Sequence, residues 1–228
     1  MKSARLPGIR ACVFDAYGTL FDFNSAARQA QDALGPSWQA LSDTWRSKQL
    51  QYTWLRSLMG KHVDFWRLTG DALDSAMMSL KIEDASLRER LMNLYLSLDA
   101  YPEVAEMLRT LKAAGQKLAI LSNGAPPMLA SAVANARIGD LLDAVLSVEE
   151  VGVYKPDSRV YKLALGRLGL EASEICFVSS NAWDAYAAKA FGMRVAWCNR
   201  FGQAPERIPD EPDAEISRLS ELPALVGA

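Results

Sequence analysis

An acid at the end of an apolar run is the most informative feature of the chain. Asp15 follows the apolar segment Ile9–Phe14 and is followed in turn by Tyr17, Gly18 and Thr19. A buried strand that stops at a carboxylate in a glycine-containing turn delivers this acid to the rim of a sheet, where α/β proteins bind ligands. Tyr17, two residues after Asp15, is aromatic and is not a second acid that could protonate the leaving group of a phosphate ester. The segment predicts a carboxylate nucleophile for a substrate other than a phosphate ester.

Further chemically active side chains follow other apolar runs. They are Ser122 and Asn123, then Lys155, and finally Ser179, Asn181 and Asp184. Taken singly, each has a simple structural explanation, because an Asp after a strand commonly forms a turn and Ser-Asn before a helix commonly caps it. Turn formation does not require acids, amides and a lysine after four different strands. Their joint appearance predicts one site at the carboxyl edge of a parallel sheet.

The elements that would position these residues alternate between helix and strand from Tyr101 onward. Helices are predicted at Glu103–Ala114, Met128–Ala136, Asp157–Leu168 and Trp183–Phe191. Five strands are predicted at Ile9–Phe14, Lys117–Leu121, Ala144–Leu146, Ile175–Val178 and Arg194–Trp197. Strands separated by helices pair in parallel through right-handed crossovers. The tail after Phe201 contains Pro205, Pro209 and Pro212 and is predicted to be a loop before a short final helix.

The stretch between the first two predicted strands has a helical pattern throughout. Its helices are predicted at Ser25–Leu34, Trp38–Met59, Val63–Leu80 and Ser86–Leu98. The fold class is therefore α/β, with a Rossmann-like parallel five-stranded sheet flanked by helices and an α-helical cap domain inserted after the first strand. We predict that residues 1–22 and 99–228 form the catalytic core domain and that residues 23–98 form the cap.

The second predicted helix of the insertion carries an apolar stripe. Trp45, Tyr52, Leu55 and Met59 recur at intervals that place them on one helical face. Such a stripe is more often part of the core or of a subunit interface than of a ligand pocket.

The composition indicates a packed globular protein. Of 228 residues, 50% are hydrophobic and 23% are charged, and 25 basic residues against 27 acidic ones give a net charge of −2. This balance offers nothing that attracts nucleic acid or an anionic membrane. No apolar stretch approaches the ~20 residues that cross a bilayer, and the run behind Lys2, Arg5 and Arg10 is too short for a signal peptide. A cytoplasmic protein is the expectation.

Cysteine and histidine usage narrows the possible chemistry. Cys12, Cys176 and Cys198 lie in strand-like segments without a C-x-x-C pair, so we expect reduced, buried thiols. His62 is the only histidine, so a serine or cysteine triad would depend on it and a three-histidine metal site is excluded. We expect His62 to pack or face water in the helical region.

Four segments together resemble the motifs of a known superfamily. D-A-Y-G-T, L-S-N-G, V-Y-K-P-D and F-V-S-S-N-A-W-D-A are similar to the four motifs of the haloacid dehalogenase superfamily. Tyr17, the S-S-N-A-W-D form of the fourth motif and the insertion segment L-S-D-T-W-R-S-K-Q-L-Q-Y-T-W-L-R-S-L-M resemble the (S)-2-haloacid dehalogenases within it. The resemblance covers nearly the whole chain. It implies hydrolysis of small (S)-2-haloalkanoic acids to (R)-2-hydroxyalkanoic acids plus halide, with inversion.

The resemblance also implies catalytic roles for matching residues. Asp15 matches the nucleophile, whose carboxylate displaces the halide and forms an ester, and Thr19 matches the hydroxyl that orients it. Without the resemblance, Thr19 would be interpreted as a turn-stabilising residue. Arg46 matches an arginine that binds the halide or the substrate anion, although alone it would be interpreted as a solvated helix-surface residue. Lys155, held out of helical geometry by the proline that follows it, matches the lysine that balances the charge of Asp15.

The remaining matches are supporting or substrate-binding residues. Backbone amides of Ala16 and Tyr17, with Ser122 and Asn123, would hold the substrate carboxylate or the departing halide. Ser179, Asn181, Asp184 and Tyr161 match supporting residues, and Asp184 is a candidate for positioning the hydrolytic water. Phe65 and Trp183 would be apolar walls, although core packing explains both nearly as well.

Two other functions remain open at this point. One is a Mg²⁺-dependent phosphatase acting on a small phosphate monoester, because the same fold would permit it. Phosphatases of the superfamily carry two acids in the G-D-x-x-x-D pattern of the fourth motif, whereas this chain has Ser180 at the first position. We therefore predict that no metal or other cofactor is needed. The other is a non-catalytic binder of small acids. The resemblance and the aromatic-rich insertion also imply a homodimer, with 2-haloacid and water as the small-molecule partners.

Overall fold

A parallel sheet forms the centre of the computed structural model, which describes residues 5–228. Its strands are β1 (Ala11–Phe14), β2 (Lys117–Ser122), β3 (Ala144–Ser147), β4 (Ile175–Ser179), β5 (Arg194–Cys198) and β6 (Ala214–Ile216). They are ordered β3-β2-β1-β4-β5-β6, and each neighbouring pair is parallel. Residues 1–4, which include Lys2 and the start of the predicted core domain, lie outside the described residues.

The strand that leads to Asp15 occupies the middle of this sheet. Val13 of β1 lies in register with Ala119 of β2 on one side and Phe177 of β4 on the other. All four residues of β1 are buried. Strands covered on both faces are apolar throughout, which explains why the run before Asp15 shows no alternation of polar and apolar residues. Site residues that follow β1, β2 and β4 therefore meet at one place.

Helices that come after the insertion flank the sheet. They are α6 (Val104–Ala113), α7 (Pro126–Ala136), α8 (Ser158–Leu168), α9 (Ala182–Phe191) and the final α10 (Leu222–Val226). Of these, α6 and α8 contact β2, α7 contacts β3, and α9 contacts β4 and β5. The predicted α/β class with a parallel sheet flanked by helices is confirmed.

The predicted number of strands is wrong, because the sheet has six strands and not five. The sixth, β6, lies in the tail that the sequence indicated as a loop before a final helix. It is three residues long and pairs with β5 at the sheet edge, with Ala214 and Ile216 buried and Glu215 exposed. Such a short segment gives almost no periodic signal, and the preceding prolines indicate a loop.

Five α-helices lie between β1 and α6 in the described chain. They are α1 (Asn24–Gln29), α2 (Gln31–Leu34), α3 (Trp38–Met59), α4 (Phe65–Ser79) and α5 (Ala85–Tyr95). The single helix predicted over residues 25–34 is interrupted at Ala30, which leaves helical geometry at φ −101° and ψ 15°. The helix predicted to reach Leu98 ends at Tyr95, because Leu96 and Ser97 bond three residues back, as in a turn.

Two aspartates set the starts of the later helices. The Asp64 side chain accepts a hydrogen bond from the Arg67 amide at the start of α4, and Asp84 accepts one from the Leu87 amide at the start of α5. Each satisfies an amide that has no partner within its helix. Both helices therefore start directly after an aspartate.

The chain enters and leaves the helical insertion side by side. Phe21 forms an antiparallel bridge with Ala100, and the Asp22 amide donates to the Asp99 carbonyl at 2.8 Å. The domain division at residues 22 and 99 stays a prediction.

The apolar stripe on α3 extends beyond the core. Trp45 is buried and Tyr52 half-buried, whereas Leu55 is 46% and Met59 67% exposed.

Within residues 5–228, no helix is long and apolar enough to span a membrane.

Candidate active site

The turn after β1 fixes Asp15 at the edge of the sheet. The Asp15 amide donates to the Val178 carbonyl at 3.0 Å, which continues the ladder between β1 and β4. Next, the Ala16 carbonyl accepts hydrogen bonds from the amides of Leu20 and Phe21 at 2.9 and 3.0 Å. The Asp15 side chain is almost fully buried. Backbone hydrogen bonds therefore hold the turn from which the Asp15 carboxylate extends.

A buried lysine links Asp15 to a second carboxylate. Lys155 Nζ donates to Asp15 Oδ1 at 3.1 Å and to Asp184 Oδ2 at 2.8 Å, and Lys155 is 1% exposed. Burial alone would lower the pKa of Lys155, but the two carboxylates outweigh burial and raise it above its ordinary value. Lys155 is therefore a cation whose charge is already matched by neighbouring anions.

Asp184 lies at the base of this cluster. Its side chain is fully buried and accepts a hydrogen bond from the Tyr161 hydroxyl at 2.7 Å as well as from Lys155. Burial raises the pKa of the Asp184 carboxyl to about 6, although the charge of Lys155 opposes the rise. Burial also raises the pKa of Tyr161, and the charge of Asp184 adds to that effect. Tyr161 therefore remains a hydrogen-bond donor near neutral pH.

The other oxygen of Asp15 faces an amide and a hydroxyl. Asn181 Nδ2 donates to Asp15 Oδ2 at 2.7 Å, and Thr19 Oγ1 lies 3.4 Å from the same atom. The Thr19 hydroxyl accepts a shorter bond, 2.8 Å, from the Ser180 amide. Ser179 Oγ accepts from the Asn181 amide at 3.1 Å. Thr19 therefore ties the loop after β1 to the loop after β4, Ser179 holds the start of the loop after β4 in its own turn, and Asn181 makes the shorter contact with the carboxylate.

Arg46 reaches this cluster from α3 of the insertion. Its Nη2 donates to Asn181 Oδ1 at 3.1 Å and to the Tyr17 carbonyl at 3.4 Å, and its guanidinium lies 5.0 Å from the Phe23 ring centre. Within the described chain, no carboxylate lies within 4 Å of the Arg46 nitrogens. Arg46 therefore presents a positive charge that neighbouring side chains do not neutralise.

Three buried aromatic rings pack together next to the turn that carries Asp15. The Tyr17 ring stacks on Phe65 with 5.7 Å between centroids and lies 5.6 Å from the Tyr95 ring. All three side chains are buried. Burial raises the pKa of Tyr17 well above its ordinary value, with smaller contributions from Tyr95 and Asp15. The predicted wall residue Phe65 is thus brought next to Tyr17.

Trp183 lies further out than the other predicted site residues. Its ring packs edge-on against Trp54 of α3, with 5.4 Å between centroids. Both tryptophans line a largely apolar cavity of about 620 Å³ between the insertion and the core, together with Tyr154 and Tyr186. The structure places Trp183 at the junction of the two parts of the molecule.

The end of β2 and the loop after it contribute Ser122 and Asn123. Ser122 Oγ accepts from the Gly124 amide at 3.0 Å, and Asn123 Oδ1 accepts from the Lys155 backbone amide at 3.0 Å. Asn123 therefore connects this loop to the one that carries Lys155. Gly124 lies against Tyr17, because a Cβ atom on this glycine would stand 2.8 Å from Tyr17 Cε2.

Several residues of this region were absent from the sequence prediction. Gln49 accepts from Arg46 Nη1 at 2.8 Å, and Tyr95 contacts both Gln49 and the Tyr17 ring. The spacing of Arg46 and Gln49 on a helix, three residues apart, was the available signal.

His62, which was expected to pack or face water, is half-buried, and its Nε2 atom lies 2.9 Å from Glu149 Oε2.

The arrangement suits nucleophilic attack by a carboxylate on a substrate that carries negative charge. Asp15 is held between donors on both oxygens, and Arg46 offers an unneutralised cation beside it. Among the described residues, no group of three or more His, Cys, Asp or Glu side chains could hold a metal ion. The cysteines lie in the strands, buried and unpaired.

Comparison with known proteins agrees with this geometry. Residues 9–192 match the family model of the haloacid dehalogenase-like hydrolases. The chain is 46% identical to (S)-2-haloacid dehalogenase 4A of Burkholderia cepacia over 94% of this chain and 93% of that protein. It is 47% identical to the (S)-2-haloacid dehalogenase of Pseudomonas sp. (strain YL), over 95% and 94% of the two chains.

Solved structures give the same result. An L-2-haloacid dehalogenase from Xanthobacter autotrophicus with chloropropionic acid covalently bound has a TM-score of 0.90 and 39% identity. The match covers 96% of this chain and 99% of that one. The chain therefore belongs to the haloacid dehalogenase-like hydrolases and, within them, to the (S)-2-haloacid dehalogenases.

Proposed function

We propose that this protein hydrolyses small (S)-2-haloalkanoic acids to (R)-2-hydroxyalkanoic acids and halide through an ester on Asp15. The observation that carries the proposal is the pairing of a fixed carboxylate with a nearby cation that is free to meet an anion. Asp15 is held by Lys155 and Asn181, and Arg46 approaches through Asn181 from the insertion. The relatives named above carry this activity in their names, and one of them was seen with chloropropionic acid covalently bound.

The first step is a displacement at the second carbon of the substrate. An Asp15 oxygen donates an electron pair to that carbon from the side opposite the halogen, and the carbon–halogen bond breaks with its electron pair leaving on the halide. Attack from behind inverts the carbon, which converts the (S) configuration into (R). A fixed carboxylate inside a site walled by aromatic rings gains from proximity and from the absence of water around it.

The second step releases the product and restores the enzyme. Water attacks the Asp15 carbonyl carbon, the acyl–oxygen bond breaks, and its electron pair goes to the product oxygen. One water hydrogen ends on the product hydroxyl, and one proton is released. The oxygen atom of the water stays on Asp15, and the product hydroxyl carries an oxygen that came from Asp15.

We propose roles for the site residues from these contacts and from the family resemblance. We assign Lys155 to balance the charge of Asp15, and Thr19, Ser179 and Asn181 to hold it in place. Arg46 receives the halide or the substrate carboxylate, and Asp184, bonded to Lys155 and Tyr161, is the candidate for positioning water. The substrate-binding group comprises the backbone amides of Ala16 and Tyr17, together with Ser122, Asn123, Tyr161, Phe65 and Trp183.

We further propose that no divalent cation takes part. The ammonium group of Lys155 lies between the carboxylates of Asp15 and Asp184, at 3.1 and 2.8 Å, and supplies the positive charge that a metal would otherwise provide. Halide release is therefore expected to be unchanged by EDTA or added Mg²⁺. Mg²⁺-dependent hydrolysis of a small phosphate monoester would instead support the phosphatase alternative.

A single turnover in ¹⁸O-labelled water tests the ester route. With enzyme in excess over (S)-2-chloropropionate, the first product is expected to be unlabelled, because its new oxygen comes from Asp15. Mass spectrometry of the product and of the Asp15 peptide measures both destinations of the label. Direct incorporation of ¹⁸O into the first product would contradict the route.

The Asp15→Asn variant provides the matching control. It is expected to remain folded and to lose at least about 10³-fold in halide release, because the nucleophile is gone. If wild type bound 2-chloropropionate and released no halide, the alternative of a non-catalytic binder would be supported.

We also propose a homodimer and a cytoplasmic location. Leu55, Leu58 and Met59 at the end of α3 form an exposed apolar group, with Leu58 85% exposed, which a second copy of the chain would cover. A monomeric mass by light scattering would contradict the dimer. The three unpaired thiols are compatible with a reducing compartment.

A further inference from the structure

A buried glutamine lies directly behind the arginine of the site. Gln49 is 1% exposed although glutamine is usually found at the surface. Its Oε1 accepts from Arg46 Nη1 at 2.8 Å, and its Nε2 donates to Thr69 Oγ1 at 2.8 Å and to the Tyr95 hydroxyl at 3.1 Å. A side chain that loses its water must have its polar atoms bonded within the protein. Both ends of the Gln49 amide meet this requirement.

The surroundings allow only one orientation of this amide. The Thr69 hydroxyl has a single hydrogen, which it donates to the Phe65 carbonyl at 2.6 Å. Thr69 Oγ1 can therefore only accept from Gln49, and this requires the nitrogen of the amide to face Thr69. The oxygen must then face Arg46, which has donors only. The backbone of α4 thus determines which atom the guanidinium meets.

The same chain of hydrogen bonds continues to the nucleophile. Arg46 Nη1 is held by Gln49, Arg46 Nη2 donates to Asn181 Oδ1 at 3.1 Å, and Asn181 Nδ2 donates to Asp15 Oδ2 at 2.7 Å. The guanidinium is planar, so fixing one nitrogen restricts where the other points. Gln49 therefore lies three hydrogen bonds from Asp15 and controls the orientation of the cation between them.

From this geometry we propose that Gln49 is a positioning residue for dehalogenation, acting through Arg46. This inference rests on the proposed function. A neutral acceptor suits the task, because it holds the guanidinium without cancelling the charge that must attract an anion. A glutamate at this position would accept the same hydrogen bond but would neutralise Arg46.

A double-mutant cycle between Gln49 and Arg46 tests the proposal. Gln49→Met keeps the side-chain volume and removes the acceptor, and is expected to lower kcat/KM for (S)-2-chloropropionate by about 10- to 100-fold. In an Arg46→Lys background, where the forked guanidinium is absent, the same change is expected to cost less than about threefold, because coupled residues do not add. Halide release is the measured rate.

A matched control separates positioning from general destabilisation. Thr53 lies one turn further along α3, is equally buried, and donates to the Leu50 carbonyl of its own helix. Thr53→Val removes one part-buried hydrogen bond from the same helix, so it is expected to lower Tm while lowering kcat/KM by less than about threefold. Gln49→Glu adds a third comparison, with an increase in KM expected because its charge competes with the substrate anion.

Each result bears on the inference. Equal losses from Gln49→Met in the two Arg46 backgrounds would overturn it, and so would a Gln49→Met enzyme with wild-type kcat/KM. If Arg46→Lys is too slow to assay, the cycle is repeated as affinity for (S)-2-chloropropionate by calorimetry in an Asp15→Asn background. Equal losses of affinity in the two Arg46 backgrounds, or no loss at all, would then overturn the inference. A wild-type enzyme that releases no halide would instead overturn the proposed function itself.

Discussion

Two cations approach Asp15 from different parts of the molecule, and their surroundings differ. Lys155 comes from the sheet edge, is 1% exposed, and touches the carboxylates of Asp15 and Asp184. Arg46 comes from the helical insertion, is half-buried, and touches amide and carbonyl oxygens. The charge of Lys155 is used inside the protein, whereas the charge of Arg46 remains available. This difference supports our proposal that the sheet holds the nucleophile and that the insertion binds the anion.

Removing each cation in turn should give the largest contrast. Lys155→Met leaves two buried carboxylates without a partner, so it should lower the free energy of unfolding by about 3–5 kcal/mol as well as halide release. Arg46→Met should lower halide release by at least about 10²-fold and the free energy of unfolding by only about 1–2 kcal/mol. Urea unfolding and halide assays measure the two quantities. Similar losses of stability in the two variants would contradict the proposal that carboxylates within the protein neutralise Lys155 but not Arg46.

The pH dependence should come from the sheet side of the site. Burial raises the pKa of Asp184 to about 6, so this carboxyl takes up a proton as the pH falls through about 6 and is ionised above it. Protonation removes one of the two anions that hold Lys155. We therefore expect kcat/KM to rise as the pH increases through about 6 and then to level off. Initial rates between about pH 5 and 8 measure this rise in kcat/KM. Circular dichroism at each pH checks that the protein stays folded. A flat profile over this range would contradict the assignment.

A smaller effect should follow from a change at the boundary between the two regions. A Cβ at Gly124 would lie 2.8 Å from Tyr17 Cε2 and 3.0 Å from Leu129 Cδ2, so Gly124→Ala should displace the Tyr17 ring. We expect a loss of about 1–3 kcal/mol in the free energy of unfolding and a several-fold loss of kcat/KM. Gly166→Ala on α8 is the control, because no atom lies within 4 Å of its added Cβ, and it should be neutral or slightly stabilising. Equal behaviour of the two variants would mean that Gly124 does not position Tyr17.

The sheet side of the site was predictable because its sequence signals are local. Asp15, Ser122 and Ser179 each come at the end of an apolar run, and parallel strands place their carboxyl ends at one edge whatever the order of the strands. The order itself, with β1 between β2 and β4, depends on packing between distant segments. The sixth strand was missed because its three residues owe their conformation to pairing with β5.

The insertion side was predictable only in part. Helices appeared from periodicity, but Gln49 looks like a surface residue in the sequence, since glutamine is a good helix former and is mostly solvated. Its burial arises from Thr69 and Tyr95, which lie 20 and 46 residues away along the chain. Arg46 was found through family resemblance alone. Tertiary contacts determine the surroundings of both residues, and these contacts cannot be read from the local sequence.

The way in which the insertion joins the sheet has a practical consequence for engineering. The Asp22 amide nitrogen and the Asp99 carbonyl oxygen are only 2.8 Å apart. The segment between these residues could therefore be exchanged for that of a relative, because its two ends would be joined to the core at neighbouring points. A transplanted segment would replace Arg46 and Gln49, while the recipient would keep Asp15 and Lys155. Hybrid enzymes made in this way would show which half of the molecule selects the substrate.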